Sequence, residues 1–273
     1  MDMEISDIEY GAHPKQKYDL YLPDSKAFSL IVYFHGGALE GGDKADEGCA
    51  GIARSFAARG YAFASVNYRR YTDGAKFPDF IQDCACACAA ALERVRASGH
   101  NGKLIIAGSS AGGWIALMLC CRSEFLAAYG IQSQSVDGWM IDSAQTTSHY
   151  RVLAHERGED CRLQRIDEYA PLYYVDASLR FKAMFLDWYS CDMPCRAEQS
   201  QLFVQAVRHF LPDADVSTVC MEGGHCSGSM CRDAEGEYPF VRHALRWLSE
   251  KQLSSVHVGV AAGNANDRSS KKQ

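Results

Sequence analysis

The chain has 273 residues, of which 47% are hydrophobic and 23% are charged, close to the composition of an ordinary globular protein. This composition excludes a wholly disordered chain and a fibrous repeat. The 34 Asp and Glu residues outnumber the 28 Lys and Arg residues, so the formal net charge is −6. Because an acidic chain binds nucleic acid and anionic membranes poorly, we expect neither as a partner.

The first residues and the cysteine content bear on the compartment. Residues 1–11 are acidic and lack the basic start, apolar centre and cleavage site of a secretory signal. No apolar run reaches the roughly 18 residues that would span a bilayer. With Met1 as the natural start, these features predict a cytoplasmic location, where the twelve cysteines would stay reduced.

One group of cysteines lies close enough to a histidine in the sequence to be considered as a zinc site. Cys220, Cys226 and Cys231 flank His225, and thiolate sulfur and imidazole nitrogen are the ligands that zinc prefers. The group contains no Cys-x-x-Cys pair, which argues against a structural zinc site. The sequence therefore predicts inert thiols and neither a metal nor an organic cofactor.

Short apolar runs alternate along the chain with longer segments of helical spacing. Strands are predicted over residues 18–23, 30–35, 61–68, 103–110, 136–142, 182–188 and 216–223, and helices over 46–59, 77–97, 111–121, 196–210 and 238–250. This alternation is typical of a mostly parallel sheet flanked by helices. The alternating run at 18–23 ends at a proline and predicts an edge strand, whereas the continuously apolar run at 30–35 predicts a central one.

Two segments interrupt the alternation. Residues 145–180 are polar and aromatic, which predicts a cap insertion over a pocket; its tyrosines would contact an apolar or aromatic substrate group or would simply pack in the core. These tyrosines are Tyr150, Tyr169, Tyr173 and Tyr174. Residues 252–273 are rich in Gly, Ser, Asn and charge, which predicts a disordered tail. We thus expect a single α/β domain over residues 1–251.

The clearest chemical motif is Gly108-Ser109-Ser110-Ala111-Gly112, which fits G-x-S-x-G where a strand gives way to an apolar helix. In this context the central serine turns sharply with its hydroxyl exposed, and small flanking residues keep the turn free of clashes. Ser110 is therefore the candidate nucleophile, and Ser109 is the weaker alternative. The competing interpretation of Ser110 is a helix-capping serine.

A second motif, His35-Gly36-Gly37-Ala38, ends the apolar strand at 30–35. Glycines there let main-chain amides approach a reacting carbonyl oxygen, so the amides of Gly37, Ala38 and Ala111 are the candidate oxyanion hole. We expect His35 to organise this loop rather than to act as a base. A plain Gly-Gly turn is the competing interpretation.

The two motifs together resemble the α/β-hydrolase superfamily, in particular its HGG-bearing esterase branch, which includes carboxylesterases, feruloyl-esterase-like enzymes and kynurenine formamidases. HGGALEGGDK at 35–44 is similar to that branch's HGG loop and Gly-Asp-Lys element, and NYRRYTDGAKFPDFIQDC at 67–84 is similar to its Tyr-Arg segment. Ala38 and Leu39 depart from the formamidases, which usually have a Tyr-Trp pair there. The resemblance implies an α/β-hydrolase fold with an eight-stranded type of sheet.

The resemblance also implies a base and an acid that follow the serine in the order Ser, Asp or Glu, His. His225, in MEGGHCSG, resembles the histidine in the loop after the last strand and is the candidate base. The other late histidines lie in helical patterns or in the tail, at His209, His243 and His257.

For the acid, FLDWYSCDMPC at 185–195 resembles the segment in which a strand ends and a short loop presents an aspartate. Asp192 has that position. Asp187, nearer the strand interior, and Asp142, at the end of an earlier strand, are the alternatives.

These residues predict a serine carboxylic-ester hydrolase (EC 3.1.1 type) that acts on small or medium ester substrates through an acyl-enzyme. An arylformamidase-like amide hydrolase with the same machinery is the second hypothesis, and a non-catalytic ligand-binding receptor on the same fold is the third. A peptidase ranks below these. The sequence predicts no particular oligomeric state.

Overall fold

Eight strands form one sheet in the computed structural model, which describes residues 3–25, 27–99, 102–159 and 164–253. The strands are β1 (Met3–Glu9), β2 (Lys17–Leu22), β3 (Ser29–Phe34), β4 (Tyr61–Val66), β5 (Leu104–Ser109), β6 (Gly138–Asp142), β7 (Ala183–Cys191) and β8 (Asp215–Gly224). Their order across the sheet is β1-β2-β4-β3-β5-β6-β7-β8. β1 and β4 pair with β2 in the antiparallel sense, and all other pairs are parallel. The prediction of a mostly parallel sheet is confirmed.

Helices cover both faces of this sheet. They are α1 (Glu47–Ala57), α2 (Asp79–Ala97), α3 (Ala111–Cys121), α4 (Glu124–Ala127), α5 (Tyr150–Arg157), α6 (Arg196–Phe210), α7 (Ser227–Met230) and α8 (Pro239–Glu250). Successive residues of a strand point to opposite faces, so Val32 packs in the core layer beneath α2, α3 and α6, while Ile31 packs in the layer beneath α1 and α8. The central strands are buried on both sides.

The prediction that residues 18–23 form an edge strand is wrong, because β1 pairs with the outer side of β2 and is itself the edge. Strand β1 was not predicted because it is acidic and mostly exposed. Its two isoleucines, Ile5 and Ile8, are three positions apart and bracket a break in the register, so the strand lacks a regular two-residue alternation.

The parallel strands bring the sequence motifs to one edge of the sheet. The carboxyl ends of parallel strands lie together, and open α/β sheets bind their ligands there. His35 follows β3, Ser110 follows β5, Asp192 follows β7 and His225 follows β8. The fold therefore gathers segments that are far apart in the sequence.

The described part of the 145–180 insertion packs against the loops beside α2 and α3. The ring of His155 stacks on Tyr71 with 3.9 Å between centroids, and Glu156 accepts hydrogen bonds from the Tyr71 hydroxyl and the Phe77 amide, both at 2.9 Å. The indole of Trp114 donates to the Tyr169 carbonyl at 3.0 Å. These contacts hold the insertion beside the sheet edge.

Two further predictions concern the chain as a whole. The predicted tail at 252–273 lies outside the described residues from position 254 onward. Within the described ranges, none of the helices combines the length and the apolar character that crossing a bilayer requires.

Candidate active site

Ser110 forms a strained turn between β5 and α3. Its backbone has φ 54° and ψ −116°, a conformation that costs free energy for a residue with a side chain and persists only where its surroundings enforce it. The amide of Ser110 donates to the Asp142 carbonyl at 2.8 Å, which fixes one end of the turn. The half-buried side chain therefore stands at the sheet edge.

The glycines of the motif are required by close backbone contacts. A Cβ on Gly112 would lie 2.0 Å from the Phe34 carbonyl oxygen, and one on Gly108 would lie 2.4 Å from the carbonyl carbon of Gly112. Backbone atoms at such distances cannot move aside as a flexible side chain can. Only glycine at these two positions lets β5, α3 and the end of β3 meet.

The structure brings Ser110, His225 and Asp192 into one hydrogen-bonded chain. The Nε2 atom of His225 lies 2.8 Å from Ser110 Oγ, and its Nδ1 atom lies 2.6 Å from Asp192 Oδ1. A carboxylate only accepts hydrogen bonds, so Nδ1 carries the proton and Nε2 is free to accept the one from Ser110. The geometry is that of a nucleophile, a base and an orienting acid.

The Asp192 carboxyl is almost enclosed, with 2% of its side chain exposed. Burial alone would raise its pKa, but hydrogen bonds from His225, Ser143 and the Met193 amide outweigh that effect and lower the pKa below 3.8. The side chain is therefore ionised at neutral pH. An ionised carboxylate here favours the imidazole tautomer described above.

Ser143 is part of the site and was missed by sequence reasoning. Its hydroxyl donates to Asp192 Oδ2 at 2.5 Å and lies 2.9 Å from His225 Nδ1. It is the residue immediately after β6, with φ 48°. The sequence did contain a signal for Ser143: it is a serine directly after a predicted strand, at the sheet edge where the other candidate residues lie.

The loop after β3 has the open amides that an oxyanion hole needs. Gly37 has φ 110° and Ala38 has φ 57°, and neither amide donates a hydrogen bond to any described residue. Ala111 is the first residue of α3, where helical amides have no intrahelical acceptor. A Cβ on Gly36 would lie 3.2 Å from the Cβ of Ser110, which shows how closely this loop passes the serine.

His35 is buried at the start of the loop. Its ring stacks on Tyr68 with 4.6 Å between centroids, its Nδ1 lies 2.6 Å from the Gly36 carbonyl oxygen, and its own carbonyl accepts from the Tyr68 hydroxyl at 2.8 Å. Burial lowers the pKa of His35. These contacts suit the expected role of organising the loop.

The alternative acids lie away from His225. Asp142 and Asp187 are fully buried, and neither makes a hydrogen bond to the imidazole of His225. Ser109 is likewise buried, and its hydroxyl binds Asp142. The alternative histidines His209 and His243 lie in α6 and α8, and His257 lies outside the described residues.

The described cysteines are all free, and the described residues contain no group of three or more His, Cys, Asp or Glu side chains suited to a metal. Cys226 lies beside the site, with Sγ 3.7 Å from His225 Nε2. Burial raises the pKa of its thiol well above the usual value, so the thiol stays protonated and is a poor nucleophile.

A cavity of about 420 Å³ adjoins Ser110 and His225. Its other walls include the loop after β3, the first turn of α1 with the preceding Asp46, and Ser229 and Met230 of α7. The described part of the 145–180 insertion supplies no lining residue to this cavity, and the roof over the pocket stays a prediction. Tyr150 of the insertion lines a separate cavity of about 310 Å³ beside Met193 and Arg196.

Part of the chain matches a known protein family. Residues 18–128, which include both glycine motifs and Ser110, match the BD-FAE family model, an esterase domain of α/β-hydrolase type. Among curated proteins, none matches the chain.

Several solved structures share the fold at low sequence identity. Esterase B from Lactobacillus Rhamnosis, inhibited with a C4-C4 tributyrin phosphonate, has a TM-score of 0.75 and 18% identity over 92% of this chain and 86% of that one. Esterase 2 from Thermogutta terrifontis, phosphoramylated by tabun, has a TM-score of 0.74 and 21% identity over 93% and 96%. A truncated carbohydrate esterase from gut microbiota has a TM-score of 0.73 and 16% identity over 91% and 96%. The chain therefore has the α/β-hydrolase fold that the resemblance in its sequence implied.

Proposed function

We propose that this protein is a serine hydrolase that cleaves carboxylic esters of small or medium substrates through an acyl-enzyme. One observation carries the proposal: the hydrogen-bonded chain from Ser110 through His225 to Asp192, which begins at a strained turn beside a cavity. A helix-capping serine needs no such partners. The esterases with the same fold support the same chemistry.

In the first half of the reaction, Ser110 Oγ attacks the ester carbonyl carbon while His225 Nε2 takes its proton. Asp192 accepts the hydrogen bond from Nδ1 and stabilises the imidazolium that forms. The carbonyl oxygen becomes negative, and the amides of Gly37, Ala38 and Ala111 donate to it. Collapse of the tetrahedral intermediate breaks the bond to the alkoxy oxygen, and the alcohol leaves with the proton that His225 returns.

In the second half, a water molecule loses a proton to His225 and its oxygen attacks the acyl carbon. The bond to Ser110 Oγ breaks, the serine recovers its proton and the carboxylic acid departs. The atoms and charges balance with the ester and water alone. This route draws on no cofactor.

The volume of the cavity bears on the size of the substrate. About 420 Å³ accommodates a short acyl chain or a small alcohol group. The solved esterases of this fold include one bound to propionate and one inhibited by a C4-C4 phosphonate, which supports short acyl groups here.

The test is a panel of p-nitrophenyl esters of increasing acyl length, assayed beside N-formylkynurenine. We expect release of p-nitrophenol from the short esters, a fall with chain length and slower cleavage of the formamide. Preferential cleavage of N-formylkynurenine would favour the amide hydrolase instead. Ligand binding without turnover of any substrate would favour the receptor.

The Ser110→Ala variant, with Ser109→Ala as its control, tests the nucleophile within that assay. We expect Ser110→Ala to abolish turnover at an unchanged melting temperature, because the side chain is half-buried and its only side-chain hydrogen bond within the described ranges is to His225. Ser109→Ala should lose activity only modestly. If Ser110→Ala retains activity within about tenfold of wild type, the proposed nucleophile is wrong.

A further inference from the structure

A buried carboxylate lies directly beneath the site without touching His225. Asp142 is the last residue of β6 and has no exposed surface. Its Oδ2 accepts hydrogen bonds from the hydroxyls of Ser109 and Ser229, and its Oδ1 accepts from the Tyr189 hydroxyl at 2.9 Å. Three hydroxyl donors are thus directed at the two oxygens of this carboxyl group.

Two of the donors connect Asp142 to the proposed nucleophile and acid. Ser109 immediately precedes Ser110. Tyr189 lies near the end of β7, and its amide donates to Asp192 Oδ2 at 3.3 Å. The carboxylate of Asp142 is therefore hydrogen-bonded to the segment that carries Ser110 through Ser109. It is hydrogen-bonded to the segment that carries Asp192 through Tyr189.

The third donor connects Asp142 to the proposed base. Ser229 lies in α7, the single helical turn that follows His225. The same turn is held from a second side, because the amide of Gly228 donates to the Tyr189 hydroxyl at 3.1 Å. The loop that carries His225 is thus tied to β6 and β7.

A fourth connection extends to the candidate oxyanion loop. The hydroxyl of Tyr33 donates to Ser109 Oγ at 2.7 Å, which leaves the Ser109 proton for Asp142. Tyr33 lies in β3, two positions before His35 and the open amides that follow. All four segments with a proposed catalytic group therefore meet in one buried network.

We propose that the Asp142 carboxylate is a positioning residue that holds these four segments in register; this inference rests on the proposed ester hydrolysis. Hydrogen bonds to a buried carboxylate are stronger than those between neutral groups. Removal of a shared acceptor would free the segments to shift independently. A misplacement of about 1 Å at reacting groups costs about a hundredfold in rate.

Asp187 supplies a matched control. It pairs with Asp142 across β6 and β7 and is equally buried, but it accepts none of the three hydroxyl hydrogen bonds that Asp142 accepts. Burial, and after it the charge of Asp142, raise the pKa of Asp187 well above its usual value. The raised pKa favours the neutral form of this side chain, and Asp187→Asn replaces it by a neutral group of the same size.

The experiment measures kcat and KM for a short p-nitrophenyl ester with wild type, Asp142→Asn and Asp187→Asn. We expect Asp142→Asn to lower kcat by about tenfold to a hundredfold with little change in KM, because geometry rather than substrate binding is lost. Asp187→Asn should stay within about threefold of wild type. A kcat for folded Asp142→Asn within threefold of wild type, or an equal loss in Asp187→Asn, would overturn the inference.

Ser229→Ala provides a second route if Asp142→Asn does not fold, since it removes one donor and leaves the carboxylate in place. We expect a fall in kcat of a few fold at unchanged KM, and an unchanged kcat would count against the inference. Where both variants fold, their effects should be less than multiplicative in the double variant, because both act on one network; fully multiplicative losses would contradict it. The outcome is separate from the proposed function, which fails only if wild type does not hydrolyse esters or does so without Ser110.

Discussion

The hydroxyl of Ser143 donates to Asp192 Oδ2 at 2.5 Å, so each oxygen of the proposed acid has a side-chain partner, Ser143 on Oδ2 and His225 on Oδ1. A hydrogen bond to a charged group contributes about 1.5 to 3 kcal/mol. We therefore expect Ser143→Ala to lower kcat by about tenfold or more, because Asp192 loses a partner that fixes its orientation and lowers its pKa.

Ser200→Ala is the control for that variant. Ser200 is fully buried in α6, and its hydroxyl makes no hydrogen bond within the described residues. Steady-state kinetics should show normal kcat for Ser200→Ala and a loss for Ser143→Ala. Equal activity in the two variants would mean that the Ser143 hydroxyl does not support Asp192.

The Asp192→Asn variant tests the assignment of the acid. An asparagine in place of a triad aspartate favours the wrong imidazole tautomer, and in the serine-protease precedent the loss is about ten-thousandfold in kcat. We expect a loss of that order here, and much smaller losses in Asp187→Asn and Asp142→Asn. Circular-dichroism melts should accompany the kinetics so that unfolding is not mistaken for lost catalysis. Near-normal kcat in folded Asp192→Asn would remove this residue from the mechanism.

The raised pKa of Asp187 makes a prediction about stability. The pKa of Asp187 is higher in the folded protein than in the unfolded chain, where it is about 3.9. As the pH rises above the pKa of the unfolded chain, this difference lowers the free energy of unfolding. The cost grows by about 1.4 kcal/mol per pH unit until the folded pKa is reached. Asp187→Asn removes it, so this variant should be more stable than wild type at pH 7.

Urea unfolding of wild type and Asp187→Asn between pH 4 and pH 8 measures this effect. The difference in the free energy of unfolding should be small near pH 4 and should increase with pH. A difference that does not depend on pH would show that Asp187 is ionised in the folded protein.

Gly112→Ala tests the tight approach of α3 to β3. The added Cβ would lie 2.0 Å from the Phe34 carbonyl oxygen and 2.6 Å from that of His35, so the two segments must separate. We expect a loss of about 1 to 3 kcal/mol or more in the free energy of unfolding, as for other overpacked sites. Gly41→Ala, whose Cβ would lie 3.7 Å from the Gly37 carbonyl oxygen, is the tolerated control. Similar melting temperatures in both variants would contradict the contact.

The sequence predicted those parts of the fold and site whose signals are local. The turn at Ser110 requires small residues within two positions of it, and the strand before it and the helix after it are uniformly apolar, so one short window contains the whole pattern. The predicted order of Asp192 and His225 after Ser110 came from resemblance to known hydrolases, and their distances became visible only in the structure.

The parts that escaped prediction depend on contacts between distant positions. Ser229 and Ser109 both bind Asp142 although they lie 87 and 33 positions from it in the chain, and no spacing rule relates such residues. Ser143 joins Asp192 only because β6 and β7 are neighbours in the sheet. The contacts of Tyr169 and His155 with α3 and the Tyr71 loop likewise join positions that are distant in the chain.

The most direct test of the account is to identify the residue that an irreversible serine-hydrolase inhibitor modifies. The protein would be treated with phenylmethylsulfonyl fluoride, digested and mapped by mass spectrometry, with Ser110→Ala as the control. We predict loss of activity together with a single sulfonyl adduct on the peptide that contains Ser110, and no adduct in the variant. An adduct on a peptide containing Cys49 or Cys226, or full inactivation without modification of Ser110, would contradict the assignment of Ser110 as the nucleophile.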